Sequence, residues 1–172
     1  MPLLDIVLHE PEIPNNTGNI GRTCVALGCA LHLVGPLGFD TSEKACRRAG
    51  LDYWARLSPS FHLDLQSYLE TRQSGRVWLF TTKASRYAGG VEFAPGDALI
   101  FGKETRGLPD DILARHADSL VTLPMVAGER SLNLATAVCA GAYLAIDQFV
   151  RRGLMRVTAD GRLENVSDEA RQ

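Results

Sequence analysis

Short apolar runs alternate along the chain with segments whose apolar residues recur every three or four positions. The apolar runs predict buried strands at residues 3–8, 31–34, 77–82, 98–101 and 119–123. The periodic segments predict helices at residues 20–27, 41–49, 63–72, 110–116 and 133–151. Regular alternation of strands and helices favours an α/β fold with a mostly parallel sheet and helices on both of its faces.

Several element ends carry their own sequence signals. Gly28 is placed to end the first helix, and Pro109 is placed to begin the helix that follows it. Asn16 or Thr17 can cap the first helix, because short polar side chains accept hydrogen bonds from free backbone N–H groups. We therefore predict that this helix begins just after these two residues.

Residues 101–109 (FGKETRGLP) form a loop between a predicted strand and a predicted helix. In open α/β sheets ligands bind at this edge, where carboxyl ends of strands meet amino ends of helices. The loop combines two glycines, which let a backbone approach a ligand, with one carboxylate and two cations. A purely structural turn does not need that combination, so the sequence predicts a ligand site here.

Two further strand-end loops are rich in amides, hydroxyls and arginine. Residues 15–22 (NNTGNIGR) crowd three amides, a threonine and Arg22 at a strand-to-helix junction, which favours a ligand or substrate role beside simple capping. Residues 123–134 (LPMVAGERSLNL) precede the long helix. We expect the three loops to form one site of backbone groups and apolar side chains. Such a site suits a mainly neutral, adenosine-like ligand beside an arginine that binds an anion.

The spacing of reactive residues argues against several other chemistries. The four cysteines form no CxxC pair and the four histidines are scattered, so we expect no metal site. Ser131 has no GxSxG context, and none of the histidines lies in the three loops to act as its base. The phosphate-binding P-loop and the GxGxxG dinucleotide fingerprint are both absent.

Composition and charge set the broad class. With 172 residues, 45% hydrophobic and 22% charged, the chain suits one globular domain with a short tail. A formal charge of -2 means that binding to nucleic acid requires a local basic patch. Arg47 and Arg48, close to Tyr53 and Trp54, offer such a patch, although a solvated helix face explains them equally well. We expect a soluble cytoplasmic protein with no membrane partner, because no long apolar run or signal segment occurs.

Three segments resemble, in order, the motifs of the SPOUT RNA 2′-O-methyltransferases. They are residues 16–22, residues 101–109, and residues 123–125 together with 130–134. Residues 6–14 (IVLHEPEIP) and 47–53 (RRAGLDY) narrow the resemblance to the single-domain members that modify the wobble nucleotide of tRNA. The resemblance spans residues 3 to about 150.

The resemblance implies a deep trefoil knot in the carboxyl-terminal part, a homodimer, and S-adenosylmethionine as cofactor without a metal. By position, it implies cofactor contacts at Phe80, Gly102, Leu123 and Ser131, with Met125 and Leu132 nearby. Backbone groups there can bind the adenine edge while apolar side chains exclude water.

The resemblance also implies five polar positions around the reacting centre: Asn16, Arg22, Glu104, Ser131 and Asn133. Because an arginine keeps its proton in proteins, we expect Arg22 to hold a phosphate and stabilise the developing alkoxide. Glu104 or a phosphate would then accept the proton of the ribose hydroxyl. We expect Arg47, Arg48 and Arg106 to contact RNA.

The implied reaction moves a methyl group to the 2′-hydroxyl of cytidine or uridine 34 of tRNA, with leucine isoacceptors as expected substrates. DNA is excluded because the acceptor hydroxyl belongs only to RNA. Another RNA such as rRNA, or a non-catalytic RNA-binding module of the same fold, stays open as an alternative. Residues 1–152 would form the methyltransferase domain. Residues 153–172 would form a polar tail, and the sequence leaves open whether this tail is ordered or disordered.

Overall fold

The computed structural model describes residues 2–40, 53–72 and 75–166. Its strands are β1 (Asp5–His9), β2 (Ala30–Val34), β3 (Ser60–His62), β4 (Val77–Phe80), β5 (Ala98–Phe101), β6 (Leu120–Val121), β7 (Met155–Val157) and β8 (Leu163–Asn165). Its α-helices are α1 (Pro14–Leu27), α2 (Trp54–Leu57), α3 (Leu65–Thr71), α4 (Asp110–Arg115) and α5 (Leu134–Arg151). Short 3₁₀ turns occupy Ala88–Gly90 and Ala117–Ser119.

Six strands form one sheet in the order β3-β2-β1-β5-β4-β6, and every neighbouring pair is parallel. Side chains of successive strand residues enter opposite hydrophobic layers, as the pleat requires. On β1, Ile6 and Leu8 join the layer that includes α1 and α5, whereas Val7 joins the layer that includes α3 and α4. The predicted α/β fold with helices on both faces of a parallel sheet is therefore confirmed.

Strand β1 lies at the point where the order of the strands reverses. It pairs with β2 on one side and with β5 on the other. The segments that follow β1 and β5 therefore meet at the carboxyl edge of the sheet, on a topological switch point. Open α/β sheets bind their ligands in the crevice at this position.

Helix α1 begins three or four residues earlier than a cap at Asn16 or Thr17 predicts. Its first residue is Pro14, Ile13 flanks it in an extended conformation, and no side chain caps it. Proline favours this position because its φ angle is already helical and its missing N–H has no partner to lose. The prediction that Asn16 or Thr17 caps the helix is wrong. Both lie buried in the first turn, and the side chain of Asn16 is used elsewhere.

Helix α5 packs its small residues against aromatic rings of the sheet. A Cβ atom added to Gly141 would lie 2.9 Å from ring carbons of Phe80 and 3.3 Å from Phe101. Ala137, Gly141 and Ala145 recur every four residues along α5, a pattern that by itself suits either the core or a subunit interface. Gly141 and Ala145 are buried within one chain, so these two belong to the core.

Part of the polar carboxyl-terminal segment has regular structure. Strands β7 and β8 form an antiparallel hairpin, and Met155 is buried in the main core. The strands have only three residues each, too few for a periodic pattern to reveal them. The rest of that segment, residues 167–172, and the helix predicted at 41–49 lie outside the described residues. Across the ranges that the structure describes, no helix has both the length and the apolar character to cross a membrane.

Candidate active site

A cavity of about 600 Å³ lies at the carboxyl edge of the sheet. Its walls come from the segments that follow β4, β5 and β6 and from the start of α5. The six positions at which we expect cofactor contacts all line it: Phe80, Gly102, Leu123, Met125, Ser131 and Leu132. The three loops that the sequence singled out therefore contribute to one cavity, because Asn16 and Glu104 line it as well.

The loop after β5, which we call the central loop (residues 102–109), folds back on itself. The backbone N–H of Gly107 donates to the carbonyl of Lys103 at 2.8 Å. A Cβ atom on Gly102 would lie only 2.1 Å from the carbonyl carbon of Gly107, so that close approach requires glycine. Gly107 has φ +69°, which is left-handed. The two glycines thus close the base of the loop and present residues 104–106 at its tip.

The Glu104 carboxylate lies at the start of α1 and accepts three hydrogen bonds. Oε2 accepts from the backbone N–H of Glu12 at 2.8 Å, and Oε1 accepts from that of Ile13 at 3.3 Å. Asn16 Nδ2 donates to Oε1 at 2.9 Å. Glu12 and Ile13 precede α1, so Glu104 binds the segment that leads into the helix and, through the side chain of Asn16, its first turn.

The side chain of Asn133 connects the start of α5 to the same network. Its Oδ1 caps α5 by accepting from the backbone N–H groups of Ala135 at 2.9 Å and Thr136 at 3.3 Å. Its Nδ2 donates to Oδ1 of Asn16 at 3.0 Å. These contacts fix both amide orientations and create a continuous chain from Asn133 through Asn16 to Glu104. Three residues predicted for the reacting centre are thus in direct contact.

The segment between β1 and α1 (residues 10–13) holds the central loop through two further carboxylates. Lys103 Nζ donates to Oε2 of Glu10 at 2.7 Å. Glu12 accepts from the backbone N–H of Thr105 at 3.0 Å and from its hydroxyl at 2.8 Å. The hydrogen bonds from Thr105, side chain first and backbone second, keep the pKa of the Glu12 carboxyl below its usual value.

Positive side chains surround the mouth of the cavity. Lys83, Lys103, Arg106 and Arg130 all contribute to its lining. Lys83 pairs with Asp110, and Lys103 pairs with Glu10. Arg106 lies at the tip of the central loop and is exposed, and its contact with RNA stays a prediction.

Arg22 lies away from this cavity within one chain. Its side chain is exposed on α1, and its guanidinium carbon lies 5.5 Å from the centroid of the Tyr53 ring. The expected grouping of Arg22 with Glu104 and Asn133 does not occur within one subunit. Arg47 and Arg48 lie outside the described residues, so the structure gives no position for them.

Sequence reasoning missed residues that line or support the cavity. Thr81, Thr82 and Lys83 line it and directly follow β4, so the same strand-end rule that singled out the central loop could have found them. Glu12 carries no such signal, because its neighbours Pro11 and Pro14 explain the segment as a loop. Only the fold brings its carboxylate to Thr105, 93 positions away.

The arrangement suits a mainly neutral ligand with one reactive polar end. Phe80, Leu123 and Leu132 supply apolar surface, whereas the chain of amides leads to a carboxylate at the mouth. Within the described residues, no cluster of three or more His, Cys, Asp or Glu side chains has metal-binding geometry.

Comparison with known proteins identifies the family of the chain. Residues 3–143 match the family model described as the SpoU rRNA methylase family. The chain belongs to this methylase family. Its SpoU domain covers the whole six-stranded sheet, the central loop and the first half of α5, and it leaves out the β7–β8 hairpin.

Individual SpoU relatives match most of the chain. A tRNA (cytidine(34)-2′-O)-methyltransferase from Escherichia coli (strain K12) is 45% identical over 144 residues, covering 83% of this chain and 92% of that protein. A solved structure described as giving insights into the 2-OH methylation of C/U34 on tRNA has a TM-score of 0.80 and 43% identity, over 87% of this chain and 97% of that one.

A more distant SpoU structure supports the fold. The methyltransferase AviRb from Streptomyces viridochromogenes, solved in complex with AdoMet, has a TM-score of 0.74 and 24% identity. The match covers 87% of this chain and 61% of that one. At this identity the likeness establishes a shared fold, which the mostly parallel sheet with helices on both faces already displays.

Proposed function

We propose that this protein transfers a methyl group from S-adenosylmethionine to the 2′-hydroxyl of nucleotide 34, cytidine or uridine, of tRNA. The observation that carries the proposal is the convergence of three strand-end loops on one cavity that ends at the Asn133–Asn16–Glu104 chain. The wobble position is supported by relatives that are 45% and 43% identical over most of their length.

The lining of the cavity fits S-adenosylmethionine. Apolar side chains at Phe80, Leu123, Met125 and Leu132 can cover an adenosine group, and the backbone around Gly102 approaches the cavity without a side chain. Such apolar pockets with few polar groups are typical of cofactor sites. When bound, S-adenosylmethionine supplies a methyl group activated by a positively charged sulfur.

The residues of the chain act on the ribose hydroxyl. The hydroxyl oxygen forms the new bond to the methyl carbon while the carbon–sulfur bond breaks, and the hydroxyl proton must leave. Glu104 is the carboxylate at the mouth of the cavity, so we assign it as the proton acceptor. Asn16 and Asn133 hold it in place, and Ser131 lies beside them in the lining. A phosphate of the RNA is the competing acceptor.

We propose that the active unit is a homodimer, in which Arg22 reaches the cavity of the partner subunit. Two observations support this arrangement. Arg22 does not line the cavity of its own chain, although the resemblance implies that it lies at the reacting centre. The large side chain of Tyr143 on α5 is about half exposed, as a side chain at a subunit interface would be in a single chain. We include in the proposal the carboxyl-terminal trefoil knot that the SPOUT resemblance implies.

The decisive experiment measures methyl transfer from radiolabelled S-adenosylmethionine to purified tRNA, followed by mapping of ribose methylation. We expect one methyl group at nucleotide 34. The matched control is the same tRNA with a 2′-deoxy nucleotide at position 34, which should receive none. Methylation of the deoxy substrate, or of rRNA instead of tRNA, would contradict the proposal. Binding of the cofactor without transfer to any RNA would favour a non-catalytic module.

A further inference from the structure

Three consecutive residues of the central loop each bind the segment between β1 and α1. Lys103 pairs with the Glu10 carboxylate, Glu104 accepts from the backbone N–H groups of Glu12 and Ile13, and Thr105 donates twice to the Glu12 carboxylate. We call residues 10–13 together with 103–105 the clamp. Its two segments lie about 90 positions apart in the sequence, so only the folded sheet brings them together.

Glu12 both donates a hydrogen bond to the central loop, through its backbone N–H, and accepts hydrogen bonds from it, through its carboxylate. Its backbone N–H donates to Oε2 of Glu104 at 2.8 Å. Its carboxylate accepts from the N–H of Thr105 at 3.0 Å and from the Thr105 hydroxyl at 2.8 Å. Glu12 thus binds the side chain of Glu104 and also the peptide unit that directly follows it. Two adjacent points of the loop tip are fixed by one residue.

The backbone at the clamp is held in an unusual conformation. Glu10 has φ +50°, a left-handed conformation that a non-glycine residue adopts only when its surroundings determine it. Its backbone N–H donates to the carbonyl of Val34 at 2.8 Å, and its carboxylate holds Lys103. The segment that carries Glu12 is therefore anchored to the sheet at one end. Pro11 and Pro14 stiffen it further.

We propose that Glu12 is a positioning residue that holds the tip of the central loop so that the Glu104 carboxylate stays at the mouth of the cavity. This inference rests on the proposed function, in which Glu104 acts on the ribose hydroxyl. Glu12 does not line the cavity, and its carboxylate contacts Thr105 and not Glu104, the residue that we assign as the proton acceptor. Small displacements of a catalytic group are costly, since a shift of about 1 Å can lower a rate by about 100-fold.

The geometry separates an effect on turnover from an effect on cofactor binding. The base of the loop is closed by the Gly107 to Lys103 hydrogen bond and by the close approach of Gly102 to Gly107. Neither contact involves Glu12. Removing the Glu12 carboxylate should therefore free the tip and leave the base, where we propose that the cofactor binds, in place.

The test compares Glu12→Ala with Glu12→Gln in single-turnover methyl transfer to tRNA. We expect Glu12→Ala to lower the rate by about 10- to 100-fold and to change S-adenosylmethionine affinity, measured by calorimetry, by less than about twofold. A glutamine oxygen can accept both Thr105 donors as Oε2 of Glu12 does, so Glu12→Gln should keep the rate within about threefold. Equal loss in both variants would mean that charge, not position, matters, and would overturn the inference.

Asp64 provides a matched control. Its Oδ1 accepts from the backbone N–H and the hydroxyl of Ser67, both at 2.7 Å, which repeats the Glu12 contact at the start of α3. Asp64 does not line the cavity. Asp64→Ala should lower the melting temperature and leave the transfer rate unchanged. If Glu12→Ala also lowers only the melting temperature, Glu12 has a merely structural role and the inference fails.

An activity-independent measurement separates this inference from the proposed function. In Glu12→Ala the backbone N–H of residue 12 remains, and its hydrogen exchange reports whether the Glu104 carboxylate still accepts from it. We expect that exchange to accelerate by about tenfold or more, with no change in Asp64→Ala. Unchanged exchange would overturn the inference even if the wild type is active. Failure of the wild type to methylate tRNA would instead overturn the proposed function, and the exchange result would stand.

Discussion

Glu104 combines two roles at the scale of a single residue. Its carboxylate accepts three N–H donors at the start of α1, which is a structural contact, and it also lies at the mouth of the cavity. A carboxylate with two oxygens offers about four acceptor positions. Three are occupied, so one stays available for the proton of a substrate hydroxyl. A test of its chemistry must therefore preserve its contacts as far as possible.

Glu104→Gln is the variant that meets this requirement. The amide keeps the shape and one acceptor oxygen but cannot take up a proton. General base catalysis contributes about 100- to 10,000-fold, so we expect a loss of at least about 100-fold in the single-turnover rate. Cofactor affinity should stay within a few-fold of wild type. Full turnover with unchanged cofactor binding would show that the carboxylate is not the base and would favour an RNA phosphate.

Glu129→Gln is the appropriate control for that experiment. Glu129 is an exposed carboxylate in the loop before α5, and it does not line the cavity. The same change of charge near the site should leave the rate unaltered. A loss in both variants would trace the effect to net charge and not to the position of Glu104.

The starts of α1 and α5 organise the site at the scale of elements. Helix α1 has no side-chain cap at Ile13, and Glu104 of the central loop binds the backbone N–H groups of the two residues that precede the helix. Helix α5 is capped by Asn133, whose other amide atom holds Asn16 of α1. Side chains thus connect the two helix starts and the central loop. At α5, helix capping and site assembly depend on the same residue, Asn133.

Asn133→Asp separates these two contributions. An aspartate still caps α5 through its oxygen, but it has no N–H to donate to Asn16. We expect the free energy of unfolding to change by less than about 1 kcal/mol, whereas the transfer rate falls by about tenfold or more because Asn16 and Glu104 lose their support. Urea unfolding and single-turnover transfer measure the two effects. Asn133→Ala, which also removes the cap, should lose both stability and rate.

The sequence predicts the elements of this site better than the contacts between them. Apolar runs reveal the parallel strands, and Gly28 and Pro109 mark helix ends where the structure has them. Asn16 misled the prediction, because a polar residue near a helix start has the same signature whether it caps the helix or reaches another loop. The sequence does not predict Glu12 as a supporting residue, because its partner Thr105 becomes a neighbour only when β1 and β5 pair.

Buried titratable groups link the whole molecule to pH. Burial lowers the pKa of His9, and neither of its ring nitrogens has a hydrogen-bond partner among the described residues. Burial, and then the neighbouring His32, lower the pKa of His62. A histidine whose pKa is lower in the folded state binds its proton more readily when the chain unfolds. Both histidines should therefore cost stability as the pH falls below the ordinary histidine value.

We expect His9, which stays neutral in the fold, to decrease the free energy of unfolding by up to about 1.4 kcal/mol per pH unit as the pH falls from about 6.5 towards 5. Urea titrations at several pH values measure this slope. His9→Leu should make the decrease of stability with falling pH shallower. At pH 8 histidine is neutral in the folded and the unfolded state, so the difference in free energy of unfolding between variant and wild type contains no contribution from proton binding there. An identical slope in wild type and variant would contradict the assignment.

In a dimer, Arg22 can serve either the cavity of its own chain or that of the partner subunit. If Arg22 serves the cavity of the partner subunit, a dimer of Arg22→Ala with Glu104→Gln contains one site with both native residues. If Arg22 serves its own chain, neither site of that dimer is intact. Each variant alone should be inactive, whereas an equal mixture refolded together should recover about one quarter of the wild-type rate, since half of the dimers are mixed and each has one working site.

The measurement is the steady-state rate of methyl transfer per total subunit, for the co-refolded mixture against the sum of the two variants refolded separately. Recovery to about one quarter would place Arg22 across the interface, because no arrangement within one chain can restore a site from two defective subunits. No recovery, with dimers demonstrated by sedimentation, would place Arg22 outside the reaction or in its own chain. In that case its contact with Tyr53 would account for it as a surface residue of α1.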